Sequence, residues 1–363
     1  MRSQSSKTIL SLAIAAAVAC IFISFAKSAR ATFPGKNGRI SFLEINATST
    51  AVDIYTMNSD GSDERQLTSL SQNLFVLNSA QWSPDGRQLV FPVWTGNPVP
   101  GQIWVMNADG SNQHAVFTDP NNLDFNTSVS PDGKHIVFTR CQAGGSPPCA
   151  IYRICSDGSD LTALTNFDPN PDVADAFPQY SPDGQHIAFT NLTREGVLEA
   201  IYLMNADGSD VHRLTPPAIG AANGDWSPNG EKIAFDTNDP FCGGGACFFP
   251  NSEIWMIEPD GGALARLTGD PNFLDFNPSW APQGDAIVFE QDDPSFTTTQ
   301  LLILNVNQEG ADPLVIHKGS TRRSKRAAAA KAGAKGSFTT ANTSLLQVLE
   351  DDGFTPHWGP VLH

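Results

Sequence analysis

Basic residues are few in this 363-residue sequence: 22 Lys and Arg stand against 38 Asp and Glu, a formal net charge of −16. A surface of that sign repels phosphate, which disfavours nucleic-acid binding over most of the chain. Charge of either sign accounts for only 17% of residues, whereas Gly and Pro number 30 and 26. Coiled coils and helical solenoids need long stretches of good helix formers, so this composition argues against both. Turns must be frequent. The usual catalytic signatures are also missing: the sequence has no HExxH, no GxxxxGK(S/T) and no GxSxG, which removes the markers of zinc-protease, phosphate-loop and hydrolase-elbow chemistry.

Long uncharged runs are absent too, with one exception. Arg2 and Lys7 precede an uncharged stretch of 19 residues from Thr8 to Ala26, and Ala29-Arg30-Ala31 places small residues where a signal peptidase reads. The pattern predicts a secretory signal over residues 1–31, cleaved after Ala31. The rival is an uncleaved anchor, because 19 residues just reach membrane-spanning length, although Ala and Ser dilute the run. After cleavage no membrane span is expected. Loss of Arg2, Lys7, Lys27 and Arg30 leaves 18 basic against 38 acidic groups in the mature chain.

Cysteine is sparse, with six in all. Cys20 leaves with the signal, and export favours disulfides among the rest. Cys141 and Cys149 flank a Gly- and Pro-rich loop, Cys242 and Cys247 flank Gly-Gly-Gly-Ala, and Cys155 is left over. Two loop-stapling disulfides, Cys141 with Cys149 and Cys242 with Cys247, are therefore expected. Zinc ligation by the four would need shorter spacings or a nearby His.

What the sequence does have is an internal repeat. Trp82-Ser-Pro-Asp-Gly86 recurs as Val129-Ser-Pro-Asp-Gly133, Tyr180-Ser-Pro-Asp-Gly184, Trp226-Ser-Pro-Asn-Gly230 and Trp280-Ala-Pro-Gln-Gly284, at intervals of 47, 51, 46 and 54 residues. A period near 50 built from short segments means a propeller or a similar array. After each turn an alternating run ends in phenylalanine, as at Ile136 with Phe138 and Ile187 with Phe189. Period two with one buried face marks a sheet strand. A second strand carries pairs such as Ile151-Tyr152 and Ile254-Trp255, then an acidic-Gly turn such as Asp157-Gly158 follows, and an outer strand often closes with Leu-Thr, as at Leu164-Thr165. Four antiparallel strands per unit make a propeller blade.

The ends complete the count. Gly35-Lys-Asn-Gly38 stands directly before the strand of Ile40 and Phe42, so the first unit lacks its innermost strand. Phe354-Thr-Pro-His-Trp-Gly-Pro360 matches Phe276-Asn-Pro-Ser-Trp-Ala-Pro282 and then stops. The far end is expected to donate the missing strand and close an all-β ring of six blades, leaving no open edge.

The (Trp/Tyr)-Ser-Pro-Asp-Gly turn, the Ile-x-Phe strand and the Asn-Ala-Asp-Gly-Ser turn resemble the WD40-like repeats of the TolB propeller family, and the resemblance spans Phe33 to Pro360. It implies an exported six-bladed propeller over residues 32–363 that acts by binding. The α/β domain that precedes the propeller in TolB is expected to be lacking. The resemblance also implies a periplasmic or extracellular location, with an envelope or secreted protein as partner, and a monomer is expected.

Chemistry-bearing motifs are few. Asn107-Ala-Asp109-Gly110 and its relatives look like part of a calcium loop, but Val105 and Val116 fall where the first and closing ligands should be, so they read as hairpin turns. His135 and His186 recur at one repeat position and read as strand surface; Trp82, Trp226, Trp280 and Trp358 read as packing between blades. The segment at about 318–337, from Lys318 through Arg322, Arg323, Lys325, Arg326, Lys331 and Lys335, is a basic low-complexity insertion. It either folds back on the acidic body or tethers the protein to anionic lipid or envelope polymer. Finally, Asp119-Pro-Asn-Asn-Leu-Asp124-Phe-Asn126 recurs as Asp270-Pro-Asn-Phe-Leu-Asp275-Phe-Asn277, with a looser copy at Asp168-Pro-Asn that carries Asp175. Each copy leads into an innermost strand, so Asp124, Asp175 and Asp275 are candidate carboxylates at one channel mouth, suited to Ca²⁺ or to a partner's cation if they converge. The competing reading is turn chemistry. No cofactor is required for a binding module, the leading expectation. A metal-dependent enzyme and a sugar- or small-ligand-binding propeller, both using the central channel, are the alternatives.

Overall fold

A computed structural model describes residues 33–45, 52–70, 75–76, 80–94, 101–142, 148–168, 173–191, 199–216, 219–238, 252–294, 298–307, 314–318 and 356–361. The expected signal, Cys242 and Cys247, and the basic insertion beyond Lys318 lie outside these residues. Among those described the chain forms six antiparallel sheets, and no helix is long and apolar enough to cross a membrane. Blade three shows the pattern, with strands Asn122–Val129, His135–Gln142, Cys149–Cys155 and Thr162–Ala163 running from the centre outward. Blade two divides its innermost strand between Phe75–Val76 and Gln81–Trp82. Blade one is closed by the chain's far end: His357–Pro360 pairs antiparallel with Asn37–Ile45. The ring is a six-bladed β-propeller.

Each recurring word of the repeat has a local physical task. In the Ser-Pro-Asp-Gly turn of blade three, Ser130 Oγ donates to Asp132 Oδ1 (2.6 Å) and accepts the His135 N–H (2.9 Å), while Asp132 Oδ1 also accepts the Lys134 N–H. Blades two and four repeat these bonds through Ser83 with Asp85 and Ser181 with Asp183. Blade six, with Ala281 and Gln283 in those places, keeps only the backbone bonds of the turn. The Leu-Thr word closes the outer edge: Thr68, Thr165, Thr215 and Thr268 accept the N–H groups of Ile54, Ile151, Ile201 and Ile254 through Oγ1. These N–H groups would otherwise have no partner once the short outer strand ends.

The Ile-x-Phe strand supplies the core. Phe42, Phe91, Phe138, Phe189, Phe235 and Phe289, one per blade, are fully buried. Four of them meet the aromatic directly opposite on the next strand, as Phe189 meets Tyr202 at 5.8 Å between ring centres. Trp82, Trp226, Trp280 and Trp358 are buried as well, and Trp226 packs with Ala188 and Leu203 of the preceding blade. The Asp-Gly turns also lock neighbours together. Gly158, at φ 85°, lies so close to the Val116 carbonyl of the preceding blade that a Cβ would overlap it. Glycine is needed there for both dihedral and space.

Candidate functional site

The residue just before Trp358, Trp82, Val129, Tyr180, Trp226 and Trp280, the first residue of each turn motif, sits on each blade's innermost strand. Around the ring it is His357, Gln81, Ser128, Gln179, Asp225 and Ser279 for blades one to six. All six are polar although both sequence neighbours are often apolar. Five of them line the narrow central cavity, and Thr127 represents blade three beside Ser128. The position has a second task, because several of these side chains accept a backbone N–H from the next blade. Ser128 Oγ accepts from Tyr180 N (3.3 Å), Asp225 Oδ2 from Trp280 N (2.8 Å) and Ser279 Oγ from Trp358 N (3.3 Å).

Two residues earlier the strand is interrupted. Asn126, Phe177, Asn223 and Asn277 each take a left-handed φ of 51 to 54°, and the strand register shifts across each of them. These are β-bulges that turn the following residues toward the channel. They too are stapled from the preceding blade, since Thr139 and Thr190 accept the N–H groups of Phe177 and Asn223 through Oγ1 (3.1 and 3.2 Å). In blade five the equivalent residue is Asp236, whose Oδ2 accepts both the Asn277 N–H (2.8 Å) and the Asn223 amide (2.9 Å).

Blade five therefore uses carboxylates at both positions, where Thr139 and Thr190, and Ser128 and Ser279, use hydroxyls. Both are buried. Burial pushes Asp225 up to about 7, against the pull of the Trp280 N–H, the Ser279 hydroxyl and the Trp226 N–H. Burial likewise pushes Asp236 up to about 7, against the Asn223 amide and the Asn277 N–H. His357 is buried and driven down to about 4, so its imidazole is neutral at neutral pH. Ser279 stands between Asp225 and His357 around the ring, but its hydroxyl bonds to Asp225. That differs from a nucleophile held by an imidazole base.

Three atoms among the cavity-lining residues have no hydrogen-bond partner: Asn126 Oδ1, Thr127 Oγ1 and His357 Nδ1. Buried polar atoms are almost always paired, and these three belong to residues that meet at the cavity.

Asp124, Asp175 and Asp275 are all buried and none belongs to the cavity lining. Each faces a partner directly across on the adjacent strand, 16 residues on. Arg140 grips Asp124 with Nε and Nη2, both at 2.8 Å, and reaches Asp119 with Nη1 at 3.2 Å. It is further enclosed by the rings of Phe117, Phe138 and Tyr152, the last at 4.9 Å. Burial works against the Arg140 charge, but the Asp124 carboxylate outweighs it and the guanidinium titrates above its ordinary value. Asn191 Nδ2 donates to Asp175 Oδ1 (2.5 Å) and Gln291 Nε2 to Asp275 Oδ1 (2.8 Å). Burial raises Asp275 to about 6 against the Thr268 and Gln291 bonds. The three carboxylates thus stand in equivalent, separate blade positions with neutral or cationic partners. Among the described residues, no three or more His, Cys, Asp or Glu side chains form a group that could hold a metal ion. Cys141 and Cys149 are joined by a disulfide, opposite each other on adjacent strands, and Cys155 is a free thiol.

Sequence reasoning passed over the channel ring itself. The signal was present: a polar residue immediately before Trp82, Val129, Tyr180, Trp226, Trp280 and Trp358.

No protein-family model matches the chain. In sequence it is similar to the uncharacterized protein Atu1656 of Agrobacterium fabrum, 33% identical over 172 residues that cover 44% of this chain and 52% of that protein. It is also similar to the protein TolB homolog of Chlorobium luteolum, 28% identical over 176 residues that cover 48% of this chain and 35% of the relative. The chain spans about half or less of the length of these curated relatives. In structure it is similar to TolB from Acinetobacter baumannii, with a TM-score of 0.65 and 22% identity over 91% of this chain and 69% of the other.

Proposed function

Starting from the premise that this chain is a TolB-like six-bladed β-propeller, we propose that it is an exported binding module that engages a protein partner of the cell envelope through its central channel. The observation that carries this reading is the channel ring: polar side chains from all six blades converge on one buried cavity, and three of their atoms lack partners. A closed ring of rigid blades holds such groups in place before a ligand arrives, which lowers the cost of binding. Its action is binding and not catalysis, and export follows the signal expected over residues 1–31.

The test uses a photo-cross-linking amino acid at Gln81 or Gln179 in the channel, compared with Leu161 or Val211, the exposed apolar residues of the outer surface. A single envelope polypeptide captured from the channel positions, and not from the outer ones, is the expected result. Equal capture at both sites would overturn the assignment of the channel. The Asp225 carboxylate in the channel lining favours one second reading, metal-dependent use of the channel. Calcium titration and metal analysis of the purified protein separate the two, because the module binds its partner after chelation.

A further inference from the structure

The repeat makes an internal control of every blade, and two channel residues depart from what the other blades do. The first is Phe177. Asn occupies the left-handed bulge position in blades three, five and six, where Asn126, Asn223 and Asn277 have φ of 51 to 53°. Asn tolerates that conformation because its short polar side chain bonds locally; an aromatic residue does not, and Phe at φ 54° is strained. A strained residue is retained where its side chain has a use. Phe177 is one of the residues that line the cavity.

The second is Asp225. Its bond to the next blade's N–H (2.8 Å) is made in blades three and six by the hydroxyls of Ser128 and Ser279, each at 3.3 Å. Holding the ring together therefore does not require a carboxylate there. Asp225 nevertheless brings one into the channel lining, which contains no Lys or Arg.

The unpartnered atoms narrow the ligand chemistry. Asn126 Oδ1 only accepts, His357 Nδ1 accepts when the neutral ring carries its proton on Nε2, and Thr127 Oγ1 can accept. The residues that carry them are 8%, 7% and 2% exposed, so water access is limited. A sugar would bring acceptors as well as donors; a group with donors alone fits this set better. An ammonium carries three donors and no acceptor, is drawn to a carboxylate, and is attracted to an aromatic face. A net charge of −16 favours its approach.

We infer that the central channel is an alkylammonium site, with Asp225 as counter-ion, the Phe177 ring as cation–π face, and Asn126, Thr127 and His357 as acceptors. The ammonium is the lysine side chain of a protein partner or a free aliphatic amine. This inference rests on the channel being the binding surface, but it concerns a chemical group and stands or falls separately from any envelope partner.

The test is calorimetric titration of the full chain at low salt with cadaverine, which mimics the lysine side chain, and with 1-pentanol as its neutral counterpart. A capped Gly-Lys-Gly peptide and its norleucine analogue form the second arm. Cadaverine is expected to bind saturably at one per chain, and 1-pentanol is not. Tighter binding of the lysine peptide than of cadaverine identifies a protein partner as the source; the reverse identifies a free amine. Phe177→Asn, which restores the residue of the sister blades, is expected to weaken amine binding about tenfold while raising the melting temperature. Asp225→Ser is expected to weaken it at least about tenfold with the ring intact. Phe177→Leu keeps apolar bulk and the backbone strain but removes the ring, and is expected to weaken binding as Phe177→Asn does. No saturable cadaverine binding, equal binding of 1-pentanol, or wild-type affinity in both Phe177→Leu and Asp225→Ser would overturn the inference. Failure of channel cross-linking to any envelope protein, with cadaverine binding intact, would count against the partner and not against the ammonium site.

Discussion

Replacing Asp236 by Thr should stabilise the protein, and the gain should depend on pH. Thr139 and Thr190 occupy the same repeat position and accept the same bulge N–H in the next blade, so the hydroxyl can take over the bond that Asp236 makes to Asn277 N. The carboxylate is buried, and burial raises it from 3.8 to about 7. Well below pH 3.8 it is protonated in both folded and unfolded chains and does not bias folding. As pH rises from there toward 7, the unfolded chain releases the proton while the folded one keeps it, so folding stability falls and then levels off. The full difference corresponds to roughly 4 kcal/mol. Against this, the Asn223 amide loses its carboxylate partner, at about 1 kcal/mol for a group that lines the channel. Asp236→Thr is therefore expected to gain about 2 to 3 kcal/mol at pH 8, and most of that gain should disappear by pH 5. Urea denaturation at the two pH values, monitored by tryptophan fluorescence, measures both numbers. A change in stability that is the same at pH 5 and pH 8, or a loss at pH 8, would refute the reasoning.

His357 titrates with the opposite sign. Burial lowers it from 6.5 to about 4, so the stability it contributes is present above 6.5 and is lost as pH falls toward 4; His357→Gln, matching Gln81 and Gln179 at the ring position, should remove roughly 3 kcal/mol of that acid dependence in denaturation curves. Gly158→Ala places a Cβ against the Val116 carbonyl, whereas Gly261→Ala meets the Leu214 carbonyl at an ordinary 3.9 Å. Both lose the left-handed preference of glycine at about 1 kcal/mol, but only Gly158→Ala should cost about 3 kcal/mol or more in thermal unfolding. Arg140→Ala leaves Asp124 buried without its cation and should cost about 3 to 5 kcal/mol. Arg140→Gln recreates the Asp275–Gln291 pair of blade six and should cost less than half as much by the same measurement; equal losses would mean that the charge on Arg140 is not what matters.

The sequence by itself determined the ring. Each turn word, Ser-Pro-Asp-Gly or Asp-Gly, makes its bonds within a few residues, and each Ile-x-Phe run forms a strand buried along its length. Such local chemistry is readable without knowing what lies across the sheet. The unmatched segments at the two ends likewise implied closure, and His357–Pro360 supplies that strand beside Asn37–Ile45. What faces the channel was decided only by tertiary structure. Unbroken alternation would put Asp124 and Ser128 on one face, but the left-handed Asn126 between them shifts the register, so Asp124 faces Arg140 while Thr127 and Asn126 line the cavity. The bulge depends on a staple from the preceding blade, as Thr139 holds Phe177, and that is a contact 38 residues away. Asp225 and Asp236 show the same limit: a turn or strand pattern treats them as ordinary polar residues, and only packing against blade six buries them and raises them to about 7. Periodicity reports which way a strand alternates; a bulge and a neighbouring blade determine where that alternation finally points.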